Sequence, residues 1–95
     1  MDDEKTRVDD NPEELRYELW TDGALAGFIS YTLGDGEITL VHTEVEPALE
    51  GRGLGSALVA GALDDVRARG LKLRSLCPFV VAYLRRHPEL ADPLA

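Results

Sequence analysis

Cysteine, methionine and tryptophan occur once each in this sequence, and aromatic residues make up only 6% of it. The single cysteine, Cys77, excludes an internal disulfide. No apolar run approaches the ~18 residues that a membrane-spanning helix needs, and residues 1–10 are acidic where a signal peptide is basic and then apolar. We therefore expect a cytoplasmic, reducing location and no membrane partner.

Basic residues are also scarce: 10 Lys and Arg stand against 18 Asp and Glu, which gives a formal net charge of −8. Such a chain repels phosphate backbones, so nucleic acid is not expected as a partner. Acids dominate before residue 51, whereas residues 51–95 carry more bases than acids. This cationic part begins with three closely spaced glycines, Gly51, Gly53 and Gly55, and we expect any bound anion to lie there.

The overall composition of the chain is that of one globular domain. The chain has 95 residues, of which 44% are hydrophobic and 29% charged, enough for one small core. Residues 1–12 are acidic and lack apolar periodicity, which indicates a flexible tail. The sequence thus predicts a single domain over residues 13–95.

The spacing of apolar and turn residues predicts the order of the elements. Residues 15–45 indicate three strands, with a hairpin turn at Asp22-Gly23 and another at residues 34–36. Residues 53–70 have the apolar stripe of an amphipathic helix; a fourth strand and a second helix follow. The order βββαβα predicts an α+β (α/β-like) class, a mainly antiparallel sheet with two covering helices.

The glycine-rich segment Glu50–Ser56 joins a strand directly to the first helix. Free N–H groups at a helix N-terminus bind anions, and glycines let a diphosphate approach the backbone closely. The alternative is a tight turn with close packing. A P-loop is excluded because no lysine lies between residues 6 and 71, and a dinucleotide motif beginning at Gly51 would need glycine at Ser56.

The segment VEPALEGRGLGSAL, residues 45–58, resembles the acetyl-CoA signature of the GNAT superfamily of N-acetyltransferases. Glu50 departs from it, since Gln or Arg is usual there. The resemblance implies a reduced GNAT fold in which loop amides hold the pyrophosphate and pantetheine lies between two splayed strands. The acetyl-CoA-binding residues that it implies are Val45, Gly51, Arg52, Gly53, Leu54, Gly55 and Ser56.

Two further segments, HTEV at residues 42–45 and CPFV through RHPE at residues 77–89, resemble a narrower GNAT group, the short, single-domain YjdJ-type proteins, which has a human member. The resemblance implies that the N-terminal helices and final strands of larger members are missing. The sequence therefore contains few elements that could form an acceptor cleft, and a homodimer or another partner could supply its second wall.

His42 and Glu44 are the first candidates for catalysis. Alternation along the third strand predicts that they point to the same side, the side of Ile38 and Leu40. An imidazole beside a carboxylate can take the proton of an attacking amine. The alternative is a polar pair on an exposed strand face.

Cys77 is a second candidate, because Pro78 suits the first position of a helix and makes Cys77 its N-cap. Helix N–H groups and Arg74 would favour the thiolate, which could carry the acetyl group. The alternative is a small buried apolar residue. Tyr83 is either a core residue or, as the resemblance implies, the acid that protonates the leaving CoA thiolate. His87 is expected at the helix C-terminus, too far away to be the base for Cys77.

The sequence therefore predicts a small acetyl-CoA-dependent N-acetyltransferase-like protein with an unidentified amine acceptor and no metal. The acidic first half favours a cationic acceptor, such as a lysine side chain, an N-terminal amine or a polyamine. The alternative is a CoA- or acyl-CoA-binding adaptor or sensor module without turnover. A structural domain with an empty loop is the third possibility.

Overall fold

A computed structural model, which describes residues 6–90, shows a five-stranded sheet with two α-helices. The strands lie in the sheet in chain order; the first four are antiparallel and the fifth is parallel to its neighbour. The predicted class is confirmed, with one strand more than expected. The elements are β1 (Thr6–Asn11), β2 (Arg16–Thr21), β3 (Ala24–Gly34), β4 (Glu37–Val45), α1 (Leu54–Ala68), β5 (Lys72–Ser75) and α2 (Pro78–Arg86).

The additional strand, β1, lies in the segment that was expected to be a flexible acidic tail. It pairs with β2 along its whole length. The Tyr31 hydroxyl donates a hydrogen bond to Asp10 at 2.5 Å, and Arg69, the C-cap of α1, donates to Asp10 at 3.2 Å. The tail expectation is corrected for residues 6–11, because partners distant in the chain hold this strand. Residues 1–5 lie outside the described part of the chain.

A β-bulge interrupts the pairing of β3 with β4. Tyr31 pairs with Leu40, whereas the preceding residue, Ser30, pairs with His42, so Val41 is an extra residue in β4. A bulge bends its strand and increases the local twist. The two hairpin turns on either side of β3 lie where the sequence predicted them.

The bulge changes which side chains of β4 face the core. Ile38 and Leu40, before it, are fully buried, whereas His42 and Glu44, after it, are exposed. Thr43 points inward instead and contacts Cys77. The expectation that all four residues share one side is wrong, because the extra residue shifts the alternation by one position.

The two helices share one hydrophobic core with the sheet. α1 packs against the first four strands, where Gly61 makes room for Val8, and α2 contacts β4, β5 and α1. Gly70 takes the left-handed position just beyond the end of α1, as predicted, with a φ of +67°. No helix within residues 6–90 is long and apolar enough to cross a membrane. The largest fully buried side chains are Tyr17, Leu19, Ile29, Ile38, Leu40, Leu58, Leu63, Leu73, Val59, Val66 and Val80.

Candidate functional site

The segment between β4 and α1 is shaped by two glycines in the left-handed region. After a 3₁₀ turn at Pro47–Leu49, Gly51 has a φ of +86° and Gly53 a φ of +75°. Other residues are strained in this conformation. A Cβ added at either glycine would meet no atom within 4 Å. These glycines therefore serve the backbone path and leave open space beside the loop.

The N-terminus of α1 opens onto this space. Gly53 is the N-cap, no side chain caps the helix, and the first backbone bond runs from the Ala57 N–H to the Gly53 carbonyl at 3.1 Å. The N–H groups of residues 54–56 consequently have no partner within the helix. With the helix dipole, they form a site suited to an anion.

Gly55 has a different role from the two glycines before it. It is helical, and a Cβ there would lie 2.7 Å from Cζ of Phe79, the second residue of α2. Gly55 lets the Phe79 ring lie against the start of α1. Close packing therefore explains this glycine, as the alternative interpretation of the loop held.

Two basic residues of the second half, Arg69 and Arg74, lie away from the glycine loop. Arg69 lies about 20 Å away at the other end of α1, at 1.5 Å per residue, where it bonds Asp65 and Asp10. Arg74 pairs with Glu37 at 2.9 Å. Arg52, by contrast, lies in the loop itself, where it is exposed.

β4 extends beyond the end of its pairing with β5. The parallel ladder joins residues 37–40 to residues 72–75, and the Leu76 N–H then bonds the Leu40 carbonyl at 2.8 Å. Within the described residues, the β5 side of residues 41–45 has no strand partner. This edge leads into the glycine loop. It offers backbone donors and acceptors to an extended ligand that continues from the α1 N-terminus, apart from the Thr43 N–H, which bonds the Cys77 sulfur.

His42 and Glu44 point to the same side, as predicted, and contact each other. His42 Nε2 is 3.1 Å from Glu44 Oε2, and the side chains are 58% and 63% exposed. The Phe28 ring lies beside them with its centroid 6.4 Å from the His42 ring, and the Arg16 guanidinium lies 4.8 Å from the same centroid. We call this side of the sheet, which faces away from α1, the open face.

A cavity of about 140 Å³ lies where β3 begins and β4 ends, with Glu44 of the pair in its lining. Sequence analysis identified Glu44 but missed the cavity, because β3 and β4 build it through their register. Gly27 was the available signal: a Cβ there would lie 2.5 Å from the Glu44 carbonyl oxygen, so the strands approach closely at this point. The cavity is lined by Leu25, Ala26, Gly27, Phe28, Val45 and Pro47, together with the two carboxylate residues Glu44 and Glu46.

Cys77 is the N-cap of α2, as predicted, and is 3% exposed. Its Sγ lies 3.1 Å from Thr43 Oγ1. Burial raises the pKa of the thiol, but hydrogen bonds from Thr43 and from the Val80 and Phe79 backbone N–H groups outweigh burial, so this pKa lies below its usual value. Arg74 takes no part, contrary to expectation, because it is paired with Glu37 on the surface.

Tyr83 and His87 lie together in the second half of α2. Tyr83 is 6% exposed and belongs to the core, and its ring centroid is 4.5 Å from that of His87. His87 is the C-cap of the helix, as predicted, and its Nδ1 lies 3.7 Å from Glu89. The structure does not bring either residue to the His42–Glu44 pair.

The chain matches the family model described as GCN5-related N-acetyl-transferase over residues 16–93. The chain belongs to the GCN5-related N-acetyltransferase family. The expected membership of the GNAT superfamily is thereby confirmed. The match begins with β2 and includes β4, the glycine loop and both helices.

Curated relatives match about half of this chain. Protein NATD1 of Homo sapiens is 37% identical over 51 residues, which are 54% of this chain and 45% of NATD1. Mycothiol acetyltransferase of Clavibacter michiganensis is 46% identical over 50 residues, which are 53% of this chain and 16% of that enzyme. The match thus spans less than half of human NATD1 and a small part of the longer enzyme.

Solved structures of GNAT proteins share the fold. A GCN5-like protein from Staphylococcus aureus superposes with a TM-score of 0.70 at 23% identity, over 94% of this chain and 87% of that one. The PaiA N-acetyltransferase of Thermoplasma acidophilum, solved in complex with coenzyme A, gives a TM-score of 0.60 at 18% identity, over 79% and 49% of the two chains. At these identities the likeness establishes the fold.

Proposed function

We propose that this protein binds acetyl-CoA at the glycine loop and transfers the acetyl group to an amine on the open face. The observation that carries the proposal is the N-terminus of α1, which has no side-chain cap and opens beside Gly51 and Gly53 at the end of the free β4 edge. Membership of an acetyltransferase family supports the same ligand.

In this proposal the glycine loop and β4 bind different parts of acetyl-CoA. The N–H groups of Leu54, Gly55 and Ser56 bind the diphosphate, and Arg52 adds a positive charge within the loop. The β4 edge up to Val45 binds the extended pantetheine through its backbone. In this arrangement the thioester lies beside β4, within reach of side chains on both of its faces.

The transfer itself needs a neutral amine and a proton acceptor. The amine nitrogen forms a bond to the thioester carbonyl carbon, the C–S bond breaks, and CoA leaves as a thiolate. The proton lost by the amine passes to His42, whose charged form Glu44 stabilises at 3.1 Å. The thiolate takes up one proton on release. Tyr83, a core residue, stays a predicted donor of that proton.

A two-step route through Cys77 is the second candidate, and the lowered pKa of its thiol favours it. In that route the thiolate displaces CoA and forms an acetyl-cysteine, which an amine then attacks. The 3% exposure of Cys77 argues against it, because both the thioester and the amine must reach the sulfur.

Mass spectrometry of the protein with acetyl-CoA tests the proposal. We expect a non-covalent adduct in native spectra that Gly53→Val abolishes, because a β-branched residue cannot adopt a φ of +75° and its side chain would fill the space beside the loop. Gly36→Val is the matched control: Gly36 has a φ of +69° and equally open surroundings, but lies in the β3–β4 turn.

Several outcomes would decide between the alternatives. An adduct unaffected by Gly53→Val would contradict the loop assignment, and equal loss in both variants would attribute the effect to misfolding. Binding without acetyl transfer to any amine would favour the adaptor or sensor module. A covalent acetyl group lost in Cys77→Ser would establish the two-step route. The same native spectra test the predicted homodimer.

A further inference from the structure

The cavity at the start of β3 and the end of β4 combines apolar residues with two acidic residues in its lining. Leu25, Phe28 and Pro47 supply apolar surface, and Glu44 and Glu46 supply the charge. About 140 Å³ is well above the roughly 10–15 Å³ that one water molecule needs, so the cavity has room for a small ligand. A ligand that satisfies both features is a primary ammonium on a short alkyl arm.

We propose that this cavity binds the ammonium end of the acceptor and that Glu46 is the residue that recognises its charge. The proposal deepens the proposed function and rests on it for the identity of the ligand as an acceptor. Glu44 is already paired with His42 at 3.1 Å. No ion pair joins Glu46 to another side chain within residues 6–90, so its carboxylate can bind an incoming cation.

The aromatic wall of the cavity supports the same ligand class. Phe28 already attracts one cation, since the Arg16 guanidinium lies 4.8 Å from its ring centroid. An aromatic ring favours a cation over a neutral group of the same size, and its apolar surface packs against an alkyl arm. The cavity thereby distinguishes an alkylammonium from a small charged amine and from a neutral alcohol.

The cavity that would bind the ammonium group lies next to the residues proposed for proton transfer. Glu44 belongs both to the cavity lining and to the pair with His42, so an ammonium bound there lies next to the proposed proton acceptor. The cavity also lies at the end of β4 that leads into the glycine loop. An acceptor would be held by its charge in the cavity, lose one proton through the exposed His42 imidazole to solvent, and then attack as the neutral amine, whose second proton passes to the same imidazole.

Amide NMR titrations of the full chain without acetyl-CoA test this assignment. The probes are butylammonium, methylammonium and 1-butanol, which carry charge and arm, charge alone and arm alone. We expect butylammonium to shift the amides of Gly27, Val45 and Glu46 and to bind more tightly than either control. Glu46→Gln should weaken its binding by about two- to fivefold, the range of an exposed ion pair.

Asp35→Asn is the matched control, since it removes the same charge at the opposite end of the β3–β4 hairpin. Equal weakening by both variants, or shifts spread over all acidic residues, would overturn the assignment in favour of general electrostatic attraction. Equal binding of 1-butanol would overturn the role of Glu46. Because no acetyl-CoA is present, loss of CoA binding in the mass spectra and loss of amine binding here are separate results.

Discussion

The two faces of β4 present different chemistry although their residues alternate in one short segment. On the open face, His42 and Glu44 are more than half exposed, and Glu44 also lines a cavity. On the inner face, Thr43 holds a buried thiol whose pKa is lowered. An exposed pair can exchange protons with substrate directly, whereas a buried thiolate needs the fold to open. Since they lie on opposite sides of the strand, the two proposed routes use different groups.

The largest expected effect distinguishes these mechanisms by kinetics. Glu44→Gln and His42→Gln should each lower kcat by about 10²-fold, because loss of a general base commonly costs that much. Cys77→Ser should change kcat by less than about threefold, since the direct route does not use the sulfur. The measurement is initial velocity at varied acetyl-CoA and amine.

The control is Thr32→Ala, an exposed position elsewhere on β3. Intersecting lines in double-reciprocal plots are expected for direct transfer, in which both substrates are bound together. Parallel lines, with a large loss in Cys77→Ser, would move the chemistry to the inner face of β4 and contradict the proposed role of His42 and Glu44.

The sequence predicted the parts of this site that depend on local geometry. Asp22-Gly23 located a hairpin turn, Gly70 located the end of α1, and Pro78 located Cys77 at a helix N-cap. In each case a few neighbouring residues determine the backbone conformation. The same reasoning predicted that His42 and Glu44 would point to one side, because no irregularity lies between them.

The sequence did not predict the parts that depend on pairing between distant residues. β1 is held through Asp10 by Tyr31 and Arg69, which lie far along the chain. The bulge at Val41 is defined by the register of β3 with β4, and the alternation of apolar and polar residues along β4 does not predict it. Because of that bulge, His42 and Glu44 face the opposite side of the sheet from Ile38 and Leu40. The sequence alone therefore could not predict which of the β4 side chains face the core.

A second, smaller effect is expected on stability, from a buried carboxylate on the open face. Glu18 is 6% exposed there and accepts hydrogen bonds from Arg16 at 2.7 Å, Asn11 at 3.0 Å and Trp20 at 3.3 Å. Burial raises the pKa of Glu18, but these bonds outweigh it and hold the pKa below its usual value. Glu18→Gln should lower the free energy of unfolding at pH 7 by ~1–3 kcal/mol, typical of hydrogen bonds to a charged group.

The pH dependence of that difference identifies its cause. A carboxyl group with a lowered pKa in the folded state stabilises the protein above its unfolded pKa, and this contribution is lost as the pH falls through the folded pKa. The stability gap between wild type and Glu18→Gln should therefore narrow as the pH falls below the ordinary glutamate value of 4.5. Denaturant unfolding at several pH values measures it, and a gap that stayed constant would assign the loss to packing instead.

The smallest expected effect tests the inner face. Thr43→Val keeps the shape of the side chain but removes its hydrogen bond to the Cys77 sulfur, so the pKa of the thiol should rise while the fold is retained. Because Cys77 is the single cysteine, the ultraviolet absorbance of the thiolate against pH reports this pKa directly. Thr39→Val, on the same strand but without contact to the sulfur, is the control. An unchanged titration in Thr43→Val would assign the lowered pKa to the α2 backbone alone. The lowered pKa of the thiol would then come from the N-terminus of α2 and not from a side chain of β4.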